Sequence, residues 1–285
     1  MQNNKTYTIG IDIGGTNMKA VLFDGQDVIA DYSLATPKDS LNHFFIMIKA
    51  LSEPLIDKAK KDKMKIKGIG LGIAGVHDYK EEKILKSPNI PLLDGVKLKE
   101  QLENKTKLPI KMDNDTNCFL RAEVRLGEAK KYKNIFGLII GTGIGGAWWI
   151  NDDIYLGSHG GAGEPGRMIT NYTEPIDLEE VYQKLTQGNP AHLAQEAYKG
   201  DELAQKSYKE IGNYLGIALA NIVNLIDPEA IIIGGGVIES SDLFMSEMKK
   251  TMKNYIMSSE AKKVKILKSK LGVQTGAIGA ALLIE

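Results

Sequence analysis

The chain has 285 residues, long enough for two domains, and 43% of them are hydrophobic and 25% charged, as in soluble globular proteins. Its 36 basic and 36 acidic side chains cancel, so it lacks the basic excess typical of nucleic-acid binders. The single cysteine, Cys118, excludes an intrachain disulfide and a zinc site built from cysteines. Because no apolar segment resembles a signal peptide or a membrane span, we expect a cytoplasmic protein without nucleic-acid or membrane partners.

Strand and helix patterns alternate along the chain. Glycine-punctuated apolar segments predict strands at Tyr7–Ile13, Met18–Phe23, Val28–Ser33, Ile69–Ile73, Ile110–Asp113, Phe136–Ile140, Ala147–Ile150, Ala230–Ile233 and Lys265–Ser269. Helical spacing predicts helices at Ser40–Lys60 with Ser40 as N-cap, around Cys118–Leu126, at Glu202–Ile226 and at Thr275–Leu283. The interleaving predicts an α/β fold.

The order of these elements occurs twice. Three strands, a helix and a further strand start at Tyr7, and a similar order starts again near Ile135. We therefore predict a duplicated α/β unit with an interdomain cleft, with domains at residues 1–114 and 115–274. The alanine- and glycine-rich segment 275–285 is expected to pack back on the first domain.

Two glycine-rich turns have the same context. Asp12-Ile-Gly14-Gly15-Thr16, followed by Asn17, and Gly141-Thr142-Gly143-Ile-Gly145-Gly146 each join two apolar strands. Glycine lets backbone N–H groups approach an anion, and threonine adds a hydroxyl donor. The second turn matches the dinucleotide fingerprint, but Ala-Trp-Trp-Ile follows it, which is a strand and not the helix that this fingerprint requires. The pair of turns indicates a polyphosphate held by two related domains.

The surroundings of the turns suggest further ligands of a nucleotide. Asp12 would repel phosphates unless a divalent cation such as Mg²⁺ lay between them. Lys19 either reaches the same phosphates or is a surface lysine. The Gly234-Gly235-Gly236 turn either receives an adenosine or allows close packing, and Ser240, Ser241 and Asp242 offer N-caps for the next helix.

Two other segments carry carboxylates. Asp115 follows the strand Ile110–Asp113 and either helps to cap the next helix, as Thr116 also could, or acts as general base on a hydroxyl nucleophile. Glu164 and Arg167 flank a glycine-bounded loop and form either a surface ion pair or a site for a vicinal diol such as that of a sugar.

Together these segments resemble the ROK family of repressors and sugar kinases, which have the actin-like (ribonuclease H-like) ATPase fold. The matching segments are the two phosphate turns, the adenosine turn Gly234–Gly236, the sugar-side segment Ser87-Pro88-Asn89-Ile90-Pro91, the pair Asn114-Asp115, and Glu164-x-Gly-Arg167, which falls on the Glu-x-Gly-His of the family. The resemblance covers nearly the whole chain.

The resemblance implies an ATP- and Mg²⁺-dependent kinase of a hexose or amino sugar, working as a homodimer, with Asp115 as the catalytic base. The implied ATP-binding residues are Asp12 (through Mg²⁺), Gly14, Gly15, Thr16, Asn17, Lys19, Thr142, Gly143, Gly145, Gly234, Gly235 and Gly236. The implied sugar-binding residues are Gly75, Asn89, Asn114, Asp115, Glu164, Arg167 and Glu179. Few residues precede Asp12, too few for the DNA-binding domain of the family's repressors.

The chain departs from the family at the zinc site. Arg167 replaces the family's zinc-binding histidine, and the following segment Ile169–Asp177 contains no cysteine, so we expect no bound zinc. Arg167 is expected to hydrogen-bond the sugar or to pair with Glu164 or Glu179. Glucose is the first expectation for the substrate, and N-acetylmannosamine, fructose and a β-glucoside are alternatives. A non-catalytic sugar-sensing protein on the same fold is the alternative from another class.

Overall fold

The computed structural model describes residues 6–284, so the N-terminal residues 1–5 and residue 285 of the expected C-terminal segment lie outside the described part. The chain divides into two units by its internal contacts. Within the described residues, the first unit comprises residues 6–130, 156–162 and 270–284, and the second comprises residues 131–155 and 163–269. No helix among residues 6–284 is both long and apolar enough to span a membrane.

The first unit is built around a five-stranded sheet. Its elements are β1 (Thr6–Ile13), β2 (Asn17–Phe23), β3 (Val28–Ala35), α1 (Leu41–Lys61), β4 (Lys65–Ile73), β5 (Val76–Asp78), β6 (Lys83–Lys86), α2 (Leu98–Thr106), β7 (Ile110–Asp113), α3 (Asp115–Arg125) and α8 (Thr275–Ala281). The strand order is β3-β2-β1-β4-β7, and β5 and β6 form a separate hairpin. Strands β1 to β3 are antiparallel, whereas β1, β4 and β7 are parallel.

The second unit repeats this sheet. Its elements are β8 (Ile135–Ile140), β9 (Ile144–Ile150), β10 (Asp153–Ile154), β11 (Ile169–Asn171), β12 (Ile176–Asp177), α4 (Leu178–Thr186), α5 (Pro190–Tyr198), α6 (Glu202–Ile226), β13 (Ala230–Gly234), α7 (Met245–Tyr255) and β14 (Lys265–Lys268). The strand order β10-β9-β8-β13-β14 has the same antiparallel and parallel pairs as the first sheet. This confirms the predicted α/β fold with a duplicated unit; each sheet has both antiparallel and parallel strand pairs.

Local sequence signals explain where the long helices begin and end. The Ser40 side chain accepts a hydrogen bond from His43 N–H at 3.2 Å and caps α1, as predicted. The helix α6 ends at Ile226, as predicted, because Asp227 precedes Pro228 and adopts a left-handed conformation with φ of 55°. The apolar sides of both helices are buried in the cores of their units.

The helix α8 lies directly against the first sheet. A Cβ atom at Gly70 of β4 would be 1.7 Å from Ala280 O, and one at Gly279 would be 1.7 Å from Cys118 O of α3. Glycine is therefore required where these backbones touch. Since α3 packs against α8, α3 belongs to the first unit, whereas the boundary predicted from the sequence, between residues 114 and 115, precedes this helix.

One capping prediction is wrong. The residues Ser240–Asp242 do not cap a helix, because they lie inside the 3₁₀ helix Gly236–Leu243. The next helix, α7, begins after Phe244, which makes no side-chain capping bond. Ser241 is instead buried and accepts a hydrogen bond from Lys268 Nζ at 2.6 Å.

Candidate active site

The first glycine turn is a closed hairpin that leaves polar groups exposed. Gly14 N–H donates to Asn17 O at 3.1 Å, and Thr36 Oγ1 donates to Gly14 O at 2.6 Å. Thr16 and Asn17 are exposed at the tip. This strand–turn–strand conformation is the one predicted for a phosphate-binding turn.

The first turn also touches a residue of the predicted sugar-side segment. A Cβ atom at Gly15 would lie 2.8 Å from Asn89 Cβ. Asn89 itself is exposed. The fold of the first unit therefore brings a candidate phosphate-binding glycine and a candidate sugar-binding amide together.

Asp12 and Lys19 face each other across β1 and β2. Asp12 is half-buried, and burial raises the pKa of its carboxyl to about 6 although the Lys19 charge opposes the shift. A Cβ atom at Gly276 of α8 would lie 2.8 Å from this carboxyl. Lys19 Nζ donates to Val273 O at 3.0 Å, so it is tied to the segment before α8.

The helix α4 holds the second glycine turn by three contacts. Gly141 N–H donates to Gly143 O at 2.9 Å within the turn. From α4, Tyr182 Oη donates to Gly141 O at 2.7 Å and Gln183 Nε2 donates to Thr142 O at 2.6 Å. The turn is therefore ordered by side chains of the helix beside it.

The third contact comes from Glu179, a predicted sugar ligand. Its Oε2 accepts from Ile144 N–H at 2.7 Å, and its Oε1 accepts from Gln183 Nε2 at 2.7 Å. A Cβ atom at Gly143 would lie 2.9 Å from Oε1. Gly145 follows on β9, paired with Ile139. The Glu179 carboxylate thus lies at the second turn.

The three glycines after β13 have different surroundings. Gly235 has a φ of 88°, and a Cβ atom there would lie 2.3 Å from Ile140 O, so this glycine serves close packing against β8. Gly236 begins the 3₁₀ helix, and a Cβ atom there would meet nothing within 4 Å. Gly234 is the last residue of β13. Of the two alternatives for this turn, packing accounts for Gly235, and the space at Gly236 remains compatible with a ligand.

Asn114 caps α3, and Asp115 is the first residue of that helix. Asn114 Oδ1 accepts from Thr116 N–H at 2.8 Å and from Asn117 N–H at 3.3 Å, while its Nδ2 donates to Gly75 O at 3.0 Å. Asp115 Oδ1 accepts from Thr116 N–H at 3.0 Å. Two predicted sugar ligands, Gly75 and Asn114, are therefore in contact beside the predicted base.

Arg167 forms an ion pair with a residue that was not among its predicted partners. Its Nη1 lies 3.0 Å from Asp177 Oδ2, so Asp177, and not Glu164 or Glu179, is its ion-pair partner. Asp177 Oδ1 also caps α4 by accepting from Glu180 N–H at 2.8 Å. The ion pair thereby joins Arg167, which precedes β11, to Asp177, the last residue of β12.

Glu164 lies just before the 3₁₀ helix Pro165–Arg167. The residue keeps exposed surface, but partial burial raises the pKa of its carboxyl. The Arg167 charge lowers this pKa and the Glu179 charge raises it further. The charges of Arg167 and Glu179 therefore both act on the Glu164 carboxyl.

A family model with the description "ROK family" matches residues 8–177 and 177–285. The chain belongs to the ROK family. It is 26% identical to a glucokinase of Streptomyces coelicolor over 96% of each chain. It is 29% identical to an N-acetyl-D-glucosamine kinase of Photobacterium profundum over 96% of this chain and 98% of that protein.

The fold of this ROK protein is also that of solved family members. The structure of a ROK family glucokinase from Streptomyces griseus in complex with glucose and AMPPNP has a TM-score of 0.82 and 25% identity, covering 97% of this chain and 98% of that one. The two repeated sheets described above are accordingly those of the actin-like ATPase fold.

Among residues 6–284 no three His, Cys, Asp or Glu side chains form a group that could hold a metal ion.

In the segment that follows Arg167, the Arg167–Asp177 ion pair joins the two ends of the hairpin of β11 and β12. Asp177 precedes Leu178-Glu179-Glu180, an N-cap signature from which its capping role was predictable.

Proposed function

We propose that this ROK protein is a kinase that transfers the γ-phosphoryl group of ATP to a hydroxyl of a hexose or N-acetylhexosamine. The observation that carries the proposal is the conformation of the Asn114–Asp115 segment. Asn114 provides the helix cap, so capping does not require Asp115 as the N-cap residue. The carboxylate of Asp115, at the first position of α3, suits a base that accepts the proton of the attacking hydroxyl.

Phosphoryl transfer requires mainly that the reactants are positioned and that phosphate charge is neutralised. We propose that the phosphates are held by Gly14, Gly15, Thr16 and Asn17 of the first turn and by Thr142, Gly143 and Gly145 of the second. We propose that the adenosine lies on the turn Gly234, Gly235 and Gly236. The carboxylate oxygens of Asp12 suit Mg²⁺, which binds few protein oxygens and keeps several waters. When bound, Mg²⁺ neutralises the charge of the β- and γ-phosphates, and Lys19 adds a further positive charge.

We propose that the sugar is bound by Gly75, Asn89, Asn114, Glu164, Arg167 and Glu179. Carboxylates accept hydrogen bonds from sugar hydroxyls, a guanidinium donates to them, and amides do both. The kinases of glucose and N-acetylglucosamine among the relatives support this substrate class. We also propose a homodimer, as the family resemblance implies, and a cytoplasmic location. We propose that it binds no zinc, because Arg167 replaces the family's zinc-binding histidine and the segment Ile169–Asp177 contains no cysteine.

The test is ATP consumption by the purified protein with glucose, fructose, N-acetylglucosamine, N-acetylmannosamine and β-glucosides. We expect Asp115→Asn to bind ATP and sugar normally and to lose turnover by about 10²- to 10⁴-fold. Asp201→Asn is the matched control, because Asp201 also lies at a helix start and asparagine can keep its capping bond to Ala204 N–H. It should retain full activity.

Two results would contradict the proposal in different ways. Unchanged turnover in Asp115→Asn would reject Asp115 as the base. Binding of a sugar without any ATP consumption by the unmodified protein would favour the non-catalytic sugar-sensing alternative.

A further inference from the structure

Asp113, the last residue of β7, is a buried carboxylate on which several hydrogen bonds converge. Its Oδ1 accepts from Asn114 N–H at 2.7 Å, from Asn117 Nδ2 at 2.7 Å and from Tyr79 Oη at 2.9 Å. Its Oδ2 lies 3.5 Å from Arg121 Nη2. A buried carboxylate needs such partners, and here they come from the N-cap and body of α3 and from the segment after β5.

The Tyr79 contact is the one that joins distant parts of the sequence. Tyr79 follows β5, and its ring stacks on His77 with 5.8 Å between centroids. Asn117 Nδ2 donates to Tyr79 Oη at 3.3 Å. Burial and the Asp113 charge raise the pKa of the Tyr79 hydroxyl, so it remains protonated and donates to Asp113.

The hydrogen bond between Tyr79 and Asp113 connects two parts of the candidate site. On one side, Asp113 binds the N–H of Asn114, the residue that caps α3 and precedes Asp115. On the other side, the hairpin of β5 and β6 is followed by the sugar-side segment, whose first residue, Ser87, donates from Oγ to Ala74 O at 2.8 Å. The hairpin is therefore fixed at its base and linked to β7 by Tyr79.

We propose that the hydrogen bond from Tyr79 to Asp113 positions the Asn114–Asp115 segment relative to the sugar-side residues Gly75 and Asn89. Tyr79 and Asp113 are positioning residues, since they act through Asn114 and Asp115. The inference rests on the proposed function, because it assumes that Asp115 is the base. Small displacements of a base from its hydroxyl are costly, about 100-fold in rate for 1 Å.

The first test compares Tyr79→Phe with Tyr208→Phe. Both substitutions remove one hydrogen-bonded hydroxyl and keep the ring, but Tyr208 Oη donates to Pro190 O at 2.8 Å in the second unit, outside the candidate site. We expect Tyr79→Phe to lower kcat about tenfold, with the KM for ATP unchanged. The two variants should have similar melting temperatures, and Tyr208→Phe should keep the kcat of the unmodified protein.

A second variant keeps the inference testable if Tyr79→Phe fails to fold. Asn117→Ala removes another donor to Asp113 Oδ1 and should lower kcat in the same way. The decisive measurement introduces Tyr79→Phe into Asp115→Asn. If the contact acts through Asp115, it should cause no further loss of the residual turnover.

The outcomes separate the inference from the proposed function. Equal kcat values for Tyr79→Phe, Asn117→Ala and the unmodified protein would overturn the inference alone. An equal fold-loss from Tyr79→Phe with and without Asp115 would also overturn it, because the contact would then act independently of the base. Absence of turnover by the unmodified protein on every sugar would overturn the proposed function and the inference with it.

Discussion

The carboxylate of Glu179 accepts a hydrogen bond from the N–H of Ile144 at 2.7 Å, where the second glycine turn enters β9. Its other oxygen accepts from Gln183 Nε2, which also donates to Thr142 O. A residue that the family resemblance assigns to the sugar is thus bonded to the turn proposed to hold phosphate. Substitution of this residue should consequently affect both substrates.

We expect Glu179→Gln to lower kcat/KM for the sugar at least about tenfold and to raise the KM for ATP. The amide removes the charge-assisted acceptor and places an N–H₂ group against one of its present donors. Glu180→Gln is the control, since the neighbouring Glu180 is exposed and pairs with Lys184 on the surface. Steady-state kinetics in both substrates measure the effect. Identical constants for the two variants would contradict this role of Glu179.

The turn after β13 allows packing and ligand binding to be separated. Gly235→Ala should lower the free energy of unfolding by about 3 kcal/mol, because the new methyl overlaps the backbone of Ile140 and φ is positive. Gly236→Ala should unfold at the same temperature as the unmodified protein, because a Cβ atom there meets nothing within 4 Å.

Gly236→Ala should nevertheless raise the KM for ATP about tenfold if adenosine lies on this backbone. The measurement is ATP titration at saturating sugar beside a thermal melt. A variant with native stability and an unchanged KM would remove Gly236 from the ATP site.

Much of the fold could be predicted because its signals are local. The first three strands, the cap at Ser40 and the end of α6 before Pro228 each depend on residues close in sequence. The strand boundaries differ from the predictions by a few residues, most at β4, which begins at Lys65 and not at Ile69. The order of elements was sufficient to predict the repeated sheet.

The contacts that organise the candidate site are not local, and the sequence contains no periodic signal for them. The hairpin of β5 and β6 lies in a charged segment without apolar alternation, so Tyr79 could not be connected with Asp113, 34 positions later. Arg167 pairs with Asp177 because β11 and β12 pair with each other. These strands have only three and two residues, too few for a recognisable strand pattern in the sequence. Only packing in three dimensions decides between such partners.

The close contact of α8 with the first sheet predicts a large effect of one methyl group. Gly70→Ala should destabilise the protein by about 3 kcal/mol, because the Cβ atom would lie 1.7 Å from Ala280 O and the helix would have to move. Gly161→Ala is the control, since a Cβ atom there meets nothing within 4 Å. Urea unfolding of both variants gives the difference. Equal stabilities would show that α8 is not held against β4 as described.

The environment of Glu164 predicts the pH dependence of sugar use. Burial raises the pKa of its carboxyl, and the Arg167 cation opposes this increase. If the carboxylate form binds the sugar, kcat/KM falls as the pH decreases through this pKa. Arg167→Gln removes the cation, so the pKa should increase further and the acidic limb of the profile should move to higher pH.

Asp177→Asn provides the matched control for this experiment. Asparagine can keep the cap of α4, but it breaks the ion pair and leaves the Arg167 cation in place. Its acidic limb should therefore lie no higher than that of the unmodified protein. Circular dichroism over the same pH range verifies that all three proteins stay folded. If the three limbs coincide, Glu164 is not the group whose protonation limits sugar binding.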